Sequence, residues 1–243
     1  MCLVVAAVDA SSRYELLFAA NRDERHARPT AAAAWWPDLP SVFGGRDLVA
    51  RGSWLGVDRA GRLAAVTNFR DANAGPAPES RGALVADYLR ATLSPGEFAA
   101  ALDTRRDAYA PFSLLLREQG GLRYASNRAP AAELGAGVHA LSNAAYGVEW
   151  PKVRSARSGM EQLLDTPDPL AGLFSLLAER ATAATAEERY SSSHFVVGPV
   201  YGTRSSTVVL IDRGGLLTFA ERSFDASARI SGEIRATFAL TRD

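Results

Sequence analysis

Short apolar runs joined by turn signals recur along this chain in an order that a parallel sheet cannot accommodate. Cys2 to Asp9 reads as an apolar strand, and after a polar turn over Ala10 to Arg13 a second strand runs from Tyr14 to Ala20, giving a hairpin. Trp54 to Asp58 and Leu63 to Asn68 form another, turned by Arg59-Ala60-Gly61. Phe112 to Arg117 and Leu122 to Ser126 form a third, with Gly120-Gly121 supplying the permissive backbone of the turn. The tail adds Phe195 to Val197, Ser206 to Asp212 and Leu216 to Glu221, the last two joined through Arg213-Gly214-Gly215.

Helices are expected between these hairpins, in two pairs. One runs from about Arg81 to Leu93 with Leu84, Val85, Tyr88 and Leu89 on one face, and its successor opens in the capping box Ser94-Pro95-Gly96-Glu97 and ends near Arg105. The other pair covers about Lys152 to Leu164 and Leu170 to Arg180, with Asp168 as the expected N-cap and Pro169 in the first turn. Asp71 to Ser80 reads as an exposed loop. Hairpins, a helix pair, a hairpin, a second helix pair and a final hairpin predict an α+β fold of two stacked antiparallel sheets flanked by helices. A doubly wound parallel sheet would need strands and helices to alternate singly. No Pro/Ser linker divides the chain, so residues 1–243 are expected to form a single domain, and 47% apolar residues give it a substantial core.

Charge excludes some partners. Lys plus Arg total 27 and Asp plus Glu total 27, so no net field draws the chain to nucleic acid or to an anionic membrane. Every basic residue except Lys152 is arginine, a bias from which no function is read. Met1 to Val8 lack the start of a secretory signal, and no run approaches the roughly 20 apolar residues of a membrane helix, so the expected location is cytoplasmic, with no integral membrane segment. The lone Cys2 excludes an internal disulfide or a Cys-based zinc cluster. His26, His139 and His194 lack metal-ligand spacing, so no metal is expected. Ser53 in Gly52-Ser53-Trp54-Leu55-Gly56 is displaced from the frame of a serine-hydrolase elbow. Gly44-Gly45 and Gly52 are assigned to turns. Trp35-Trp36 either line a pocket for a flat or apolar ligand or pack against a sheet edge.

Cys2 carries the chemistry. Removal of Met1, which a small second residue favours, would leave a thiol and a free α-amine on one residue, a nucleophile beside its own base. An α-amine with a reference pKa of roughly 7.7–8.0 suits it to taking a thiol proton near neutral pH. The bland reading is a small buried hydrophobe at a strand start. Asn21-Arg22-Asp23-Glu24 weighs against that, because the hairpin returns this tetrapeptide to the end where Cys2 lies. A carboxylate there would orient the protonated amine beside the thiol.

Seven motifs in order resemble the NRDE family, which includes the eukaryotic transport and Golgi organisation protein Tango-two. They are Met1-Cys2, Asn21-Arg22-Asp23-Glu24, Arg51-Gly52-Ser53-Trp54-Leu55-Gly56-Val57, Thr67-Asn68-Phe69-Arg70, Ser80-Arg81-Gly82, Leu141-Ser142-Asn143 with Trp150-Pro151-Lys152, and the run Tyr201 to Thr207. The family is in turn similar to N-terminal-nucleophile (Ntn) hydrolases of the choloylglycine hydrolase and penicillin V acylase type. That resemblance implies a four-layer αββα sandwich and an N-terminal cysteine attacking an amide carbonyl. It assigns Cys2 as nucleophile and Asp23 as holder of the amine. Asn68 helps form the oxyanion hole, Asn143 binds substrate or intermediate, and Arg204 supports the site. Asn21, Arg22 and Glu24 are supporting residues by their place in the signature.

The hydrolases place an arginine three residues before the aspartate, where this chain has Ala20. A one-residue shift along a strand points a side chain to the opposite face, so Arg22, adjacent to Asp23, is not expected to stand in for that charge. Two readings follow. In one, the chain hydrolyses a small-molecule amide or acyl substrate without a cofactor. In the other it is a haem or acyl-lipid carrier using the same pocket, with Trp35 and Trp36 as an apolar wall and Cys2 able to ligate haem iron.

Overall fold

The structure, a computed structural model, describes residues 2–71, 73–182 and 185–241. Met1, and Ala72 within the expected loop, lie outside the described residues. The chain packs as two compact units: residues 1–27, 136–142 and 147–239 form the first, and 28–135, 143–146 and 240–243 the second.

The first unit is built on a six-stranded antiparallel sheet. Its strands are β1 (Cys2–Val8), β2 (Tyr14–Arg25), β10 (Gly137–Leu141), β11 (Tyr201–Asp212), β12 (Leu216–Phe224) and β13 (Ile230–Ala239), ordered β10-β1-β2-β11-β12-β13. β1 and β2 turn back on themselves through Asp9, whose left-handed backbone (φ 45°) an aspartate tolerates better than most residues, and the Ser11 hydroxyl accepts from the amides of Arg13 and Tyr14. Every residue of β1 is buried. Leu3, Val5 and Ala7 pack with Leu17, Ala19, Val208 and Leu210 against helices α3 (Pro151–Glu161) and α4 (Leu170–Leu177), which contribute Val153, Ala156, Met160, Leu173 and Leu177. Burying each such aliphatic side chain is worth about 1.5–3 kcal/mol, so this core fixes the height of the helices over β1 and β2.

The second unit is built on a seven-stranded antiparallel sheet. Its strands are β3 (Thr30–Trp36), β4 (Leu39–Asp47), β5 (Leu55–Asp58), β6 (Leu63–Asn68), β7 (Phe112–Glu118), β8 (Gly121–Ser126) and β9 (Ala132–Leu134), hydrogen-bonded in that order. Helices α1 (Arg81–Arg90) and α2 (Pro95–Asp103) cover one core, through Leu84, Val85, Tyr88, Phe98 and Leu102. The Ser94 capping box forms as read, with Ser94 accepting from the Glu97 amide and Glu97 reaching back. The expected hairpins close through left-handed glycines at Gly61, Gly120 and Gly215.

Several elements depart from the reading. β2 runs on through Arg25 because β11 pairs with all of Asn21–Glu24 and with Arg25, while β1 pairs with Asn21 and Arg22. The N-cap of α4 is Pro169 rather than Asp168, whose carboxylate instead accepts from the Leu170 amide. Phe195 to Val197 is not a strand, and α5 (Ala186–Ser192) precedes it. Gly44 and Gly45 do not make a turn. They sit inside β4, where a Cβ on Gly45 would come within 2.3 Å of the Trp54 ring, so close approach is what requires glycine there. Gly52 is constrained in the same way, by the backbone of Gly82. Trp36 is not a pocket wall. It is 1% exposed, and its indole donates to the Gly44 carbonyl at 2.9 Å.

Candidate active site

The register of β1 and β2 fixes what surrounds residue 2. Cys2 lies directly opposite Arg22 and Leu3 opposite Asn21. Side chains alternate along a strand, so Cys2 and Arg22 share one face while Asn21 and Asp23 share the other. Ala20 and Arg22 are two residues apart, not one, and therefore point the same way. Arg22 thus takes the face of Ala20, the position of the missing arginine, rather than the opposite one: its Cα partner is Cys2 itself, and its side chain is buried, 4.0 Å from Glu24.

Asp23 is one register step beyond Arg22, at the end of β1 where the nitrogen of residue 2 lies. The carboxylate is on the opposite face of the sheet from the thiol. It is 4% exposed and accepts a 2.6 Å hydrogen bond from the Thr203 hydroxyl, whose oxygen in turn accepts from the Val196 amide. Tyr201 donates to the Asp23 carbonyl. Burial pushes the Asp23 carboxyl above the usual carboxylate range, opposed first by the charge of the chain's N-terminus, then by the Thr203 hydrogen bond and by the charges of Lys152 and Arg22.

Asn21 is a structural member of the signature. Its amide nitrogen donates to the carbonyls of Leu177 and His194, both at 2.8 Å, and its oxygen accepts from Ser206. These bonds tie β2 to the end of α4 and to the segment that leads into β11. Glu24 caps the neighbouring Arg25 amide through one oxygen. Arg204 is the extra residue of a β-bulge between Thr203 and Ser205, and its guanidinium donates to the carbonyls of Arg25 and His26 at 3.0 and 2.9 Å. That latch holds the end of β2. The Ser142 hydroxyl donates to the Cys2 carbonyl, fixing the backbone of residue 2 from the other side.

Two residues given no role from the sequence belong to this cluster, Thr203 and Lys152. Lys152 is the second residue of α3, 1% exposed, with its ammonium 5.3 Å from the ring of Trp150 and 5.0 Å from that of Tyr190. Burial pushes it down to about 8, while Asp23 and, to a smaller degree, Cys2 oppose the fall. The signal in the sequence was its singularity: this is the one place where a chain of arginines uses lysine.

The other two assigned residues lie in the second unit. Asn68 ends β6 with an exposed side chain, and its carbonyl accepts from the buried Asn143 side chain at 2.7 Å. The Asn143 carbonyl accepts from the Arg70 amide, so the two motifs are stitched together within that unit. His194 is no ligand: its ring nitrogens contact the Leu176 carbonyl and the Ser155 hydroxyl. Among the described residues no group of three or more His, Cys, Asp or Glu side chains could hold a metal. No helix among them is long and apolar enough to cross a membrane.

Comparison with solved structures shows the fold. A Caenorhabditis elegans ortholog of N-acylethanolamine-hydrolyzing acid amidase matches with a TM-score of 0.55 at 12% identity, over 86% of this chain and 92% of that one. A mutant of the conjugated bile acid hydrolase from Clostridium perfringens matches with 0.54 at 12%, over 100% and 99%. Both are Ntn hydrolases, and the fold class expected from the sequence is the one they share. Among curated proteins, the Transport and Golgi organization protein 2 homolog of Bos taurus is 31% identical over 92% of this chain and 93% of its own length. The Homo sapiens homolog is 27% identical over the same shares. The family profile Transport and Golgi organisation 2 matches residues 1–226, and the chain belongs to that family.

Proposed function

We propose that the protein hydrolyses a carbon–nitrogen amide bond with Cys2 as an N-terminal nucleophile. The observation that carries this reading is the buried charge gathered at one end of β1 and β2. Arg22 lies opposite Cys2, Asp23 one step beyond, and the Lys152 ammonium interacts electrostatically with both Asp23 and Cys2. A buried ionisable cluster is costly, and sites of chemistry are where such costs are commonly met.

The chemistry would run in two stages. With Met1 removed, the α-amine of residue 2 takes the thiol proton, and Sγ attacks the amide carbon to form a C–S bond. The oxyanion is met by Asn68 and Asn143, roles that rest on their match to the family motifs. The protonated amine, oriented by Asp23, gives its proton to the leaving nitrogen as the C–N bond breaks. Water then attacks the thioester, releasing the acid and returning the proton to sulfur.

Purified protein is assayed for release of amine from a panel of N-acyl amides, alongside intact mass. The expected outcome is a mass lacking Met1, turnover by the wild type, and none by Cys2→Ala. Equal rates in the two proteins would end the reading. A haem or acyl-lipid carrier would instead show saturable binding with no turnover, and a Soret change abolished by Cys2→Ala would mark haem ligation by the thiolate.

A further inference from the structure

A carboxylate as buried as Asp23 stays ionised only if something nearby holds the charge. The Thr203 hydroxyl donates to it at 2.6 Å, and a neutral hydrogen bond offsets only part of the desolvation of a carboxylate; the positive charges of the chain's N-terminus and of Lys152 also act on it. Arg22 points to the other face and is drawn toward Glu24. Lys152 is on the Asp23 side of β1 and β2, where α3 packs.

The placement of that lysine is itself unfavourable. Its position in the first turn of α3 puts a cation among the free amides of a helix N-terminus, and it is sealed from water beneath Trp150 and Tyr190. No arginine replaces it, although arginine serves everywhere else. The compact ammonium sets a point charge within 5.3 Å of the Trp150 ring and 5.0 Å of the Tyr190 ring.

We infer that Lys152 is a positioning residue for the candidate active site: its buried ammonium, on the same side of the sheet as Asp23, adds to the charges that favour the ionised carboxylate, so that the carboxylate can hold the α-amine of residue 2. Among the described residues, Asp23 on β2 and Cys2 on β1 act on the ammonium by their charge, and the Tyr190 ring of α5 lies 5.0 Å from it. α4 offers this core only apolar side chains, and His139 of β10, paired with Ala6, falls on the thiol's face. His194 is fixed by Ser155 and the Leu176 carbonyl. The role in catalysis rests on the amidase reading above, but the coupling between the two charges does not.

Because the chain has one lysine, protein labelled with 13C at lysine Cε gives a single resonance without assignment. In the wild type it should titrate at about 8. In Asp23→Asn the midpoint should fall by about one pH unit or more, a tenfold change in proton affinity. By reciprocity, the Asp23 carboxyl 13C signal should titrate higher in Lys152→Gln than in the wild type and return in Lys152→Arg, so either arm suffices if one variant does not fold. Where turnover is found, the acid limb of its kcat/KM profile should move up in Lys152→Gln by the same interval and be restored by Lys152→Arg. A lysine resonance in the ordinary range, or unmoved by Asp23→Asn, overturns the inference even if the amidase is real. A coupled pair without turnover leaves it standing and removes the amidase.

Discussion

The two units bury charge for different ends. In the second, buried charges meet backbone. Arg62 donates to the carbonyls of Ala91 and Leu93 beyond the end of α1 and lies 4.1 Å from the Tyr88 ring centroid. Arg117 reaches the Gly61 carbonyl, and Asp58 accepts from the amides of Ala60 and Arg62 to close the β5–β6 turn. In the first unit, at the end of β1 and β2, buried charges meet each other. A charge that caps backbone has one useful protonation state. A group of charges facing one another has coupled states, and coupled states near neutral pH are what proton transfer requires.

That contrast can be broken most decisively from the second unit's side. If its part in the chemistry is played by neutral amides, Asn68→Ala should reduce turnover about a hundredfold or more, the 2.7–4 kcal/mol typical of an oxyanion donor. Because Asn68 is exposed, thermal unfolding should scarcely move. A large loss of stability with little loss of rate would reassign Asn68 to the backbone-capping class.

The next effect is a pH dependence in the first unit. The folded chain releases the Lys152 proton near 8 and the unfolded chain near 10.5. Between those values the unfolded state binds more protons, so stability rises with pH across that window. Integrated, the rise is on the order of 3 kcal/mol. Denaturant melts at pH 7.5 and 10 should therefore converge in Lys152→Met relative to wild type, and parallel curves for the two proteins would contradict the buried ammonium. Arg62→Met supplies the counterpart from the second unit, costing about 2 kcal/mol through unsatisfied carbonyls with no change in that slope.

How much of this was legible in the sequence depends on whether each part is local. Hairpins turned by Gly61, Gly120 and Gly215 and the capping box at Ser94 were legible, because turn and cap chemistry is written in adjacent residues. β3 and β4 were missed: their alanines, paired tryptophans and glycines lack strand alternation, and their glycines answer to Trp54 and Leu55 across the sheet. β13 was missed because most of its residues are exposed and no period-2 pattern marks it. At the candidate site, the nearness of Cys2 to the Asn21–Glu24 signature was legible from a hairpin, yet the face each side chain takes needed the register. Lys152 and Thr203 are distant in sequence, and only the sheet order and the packing of α3 bring them to β2.

The smallest effect tests that last point. Thr203 gives its proton to Asp23 and takes one from the Val196 amide, so Thr203→Val, despite similar shape, strips both bonds at once. A hydrogen bond to a charged group is worth about 1.5–3 kcal/mol, and relaxation of Val196 toward other acceptors should leave a net loss near the lower figure. The hydroxyl's bond favours the ionised carboxylate, so its removal should raise the Asp23 midpoint further and carry the acid limb of any turnover upward with it. Thr203→Ser keeps the oxygen and should restore both. If Thr203→Val lowers stability while the Asp23 midpoint stays where it is, Thr203 belongs with Arg62 and Asn21 among the backbone staples. The coupled cluster would then shrink to Asp23, Lys152 and Arg22.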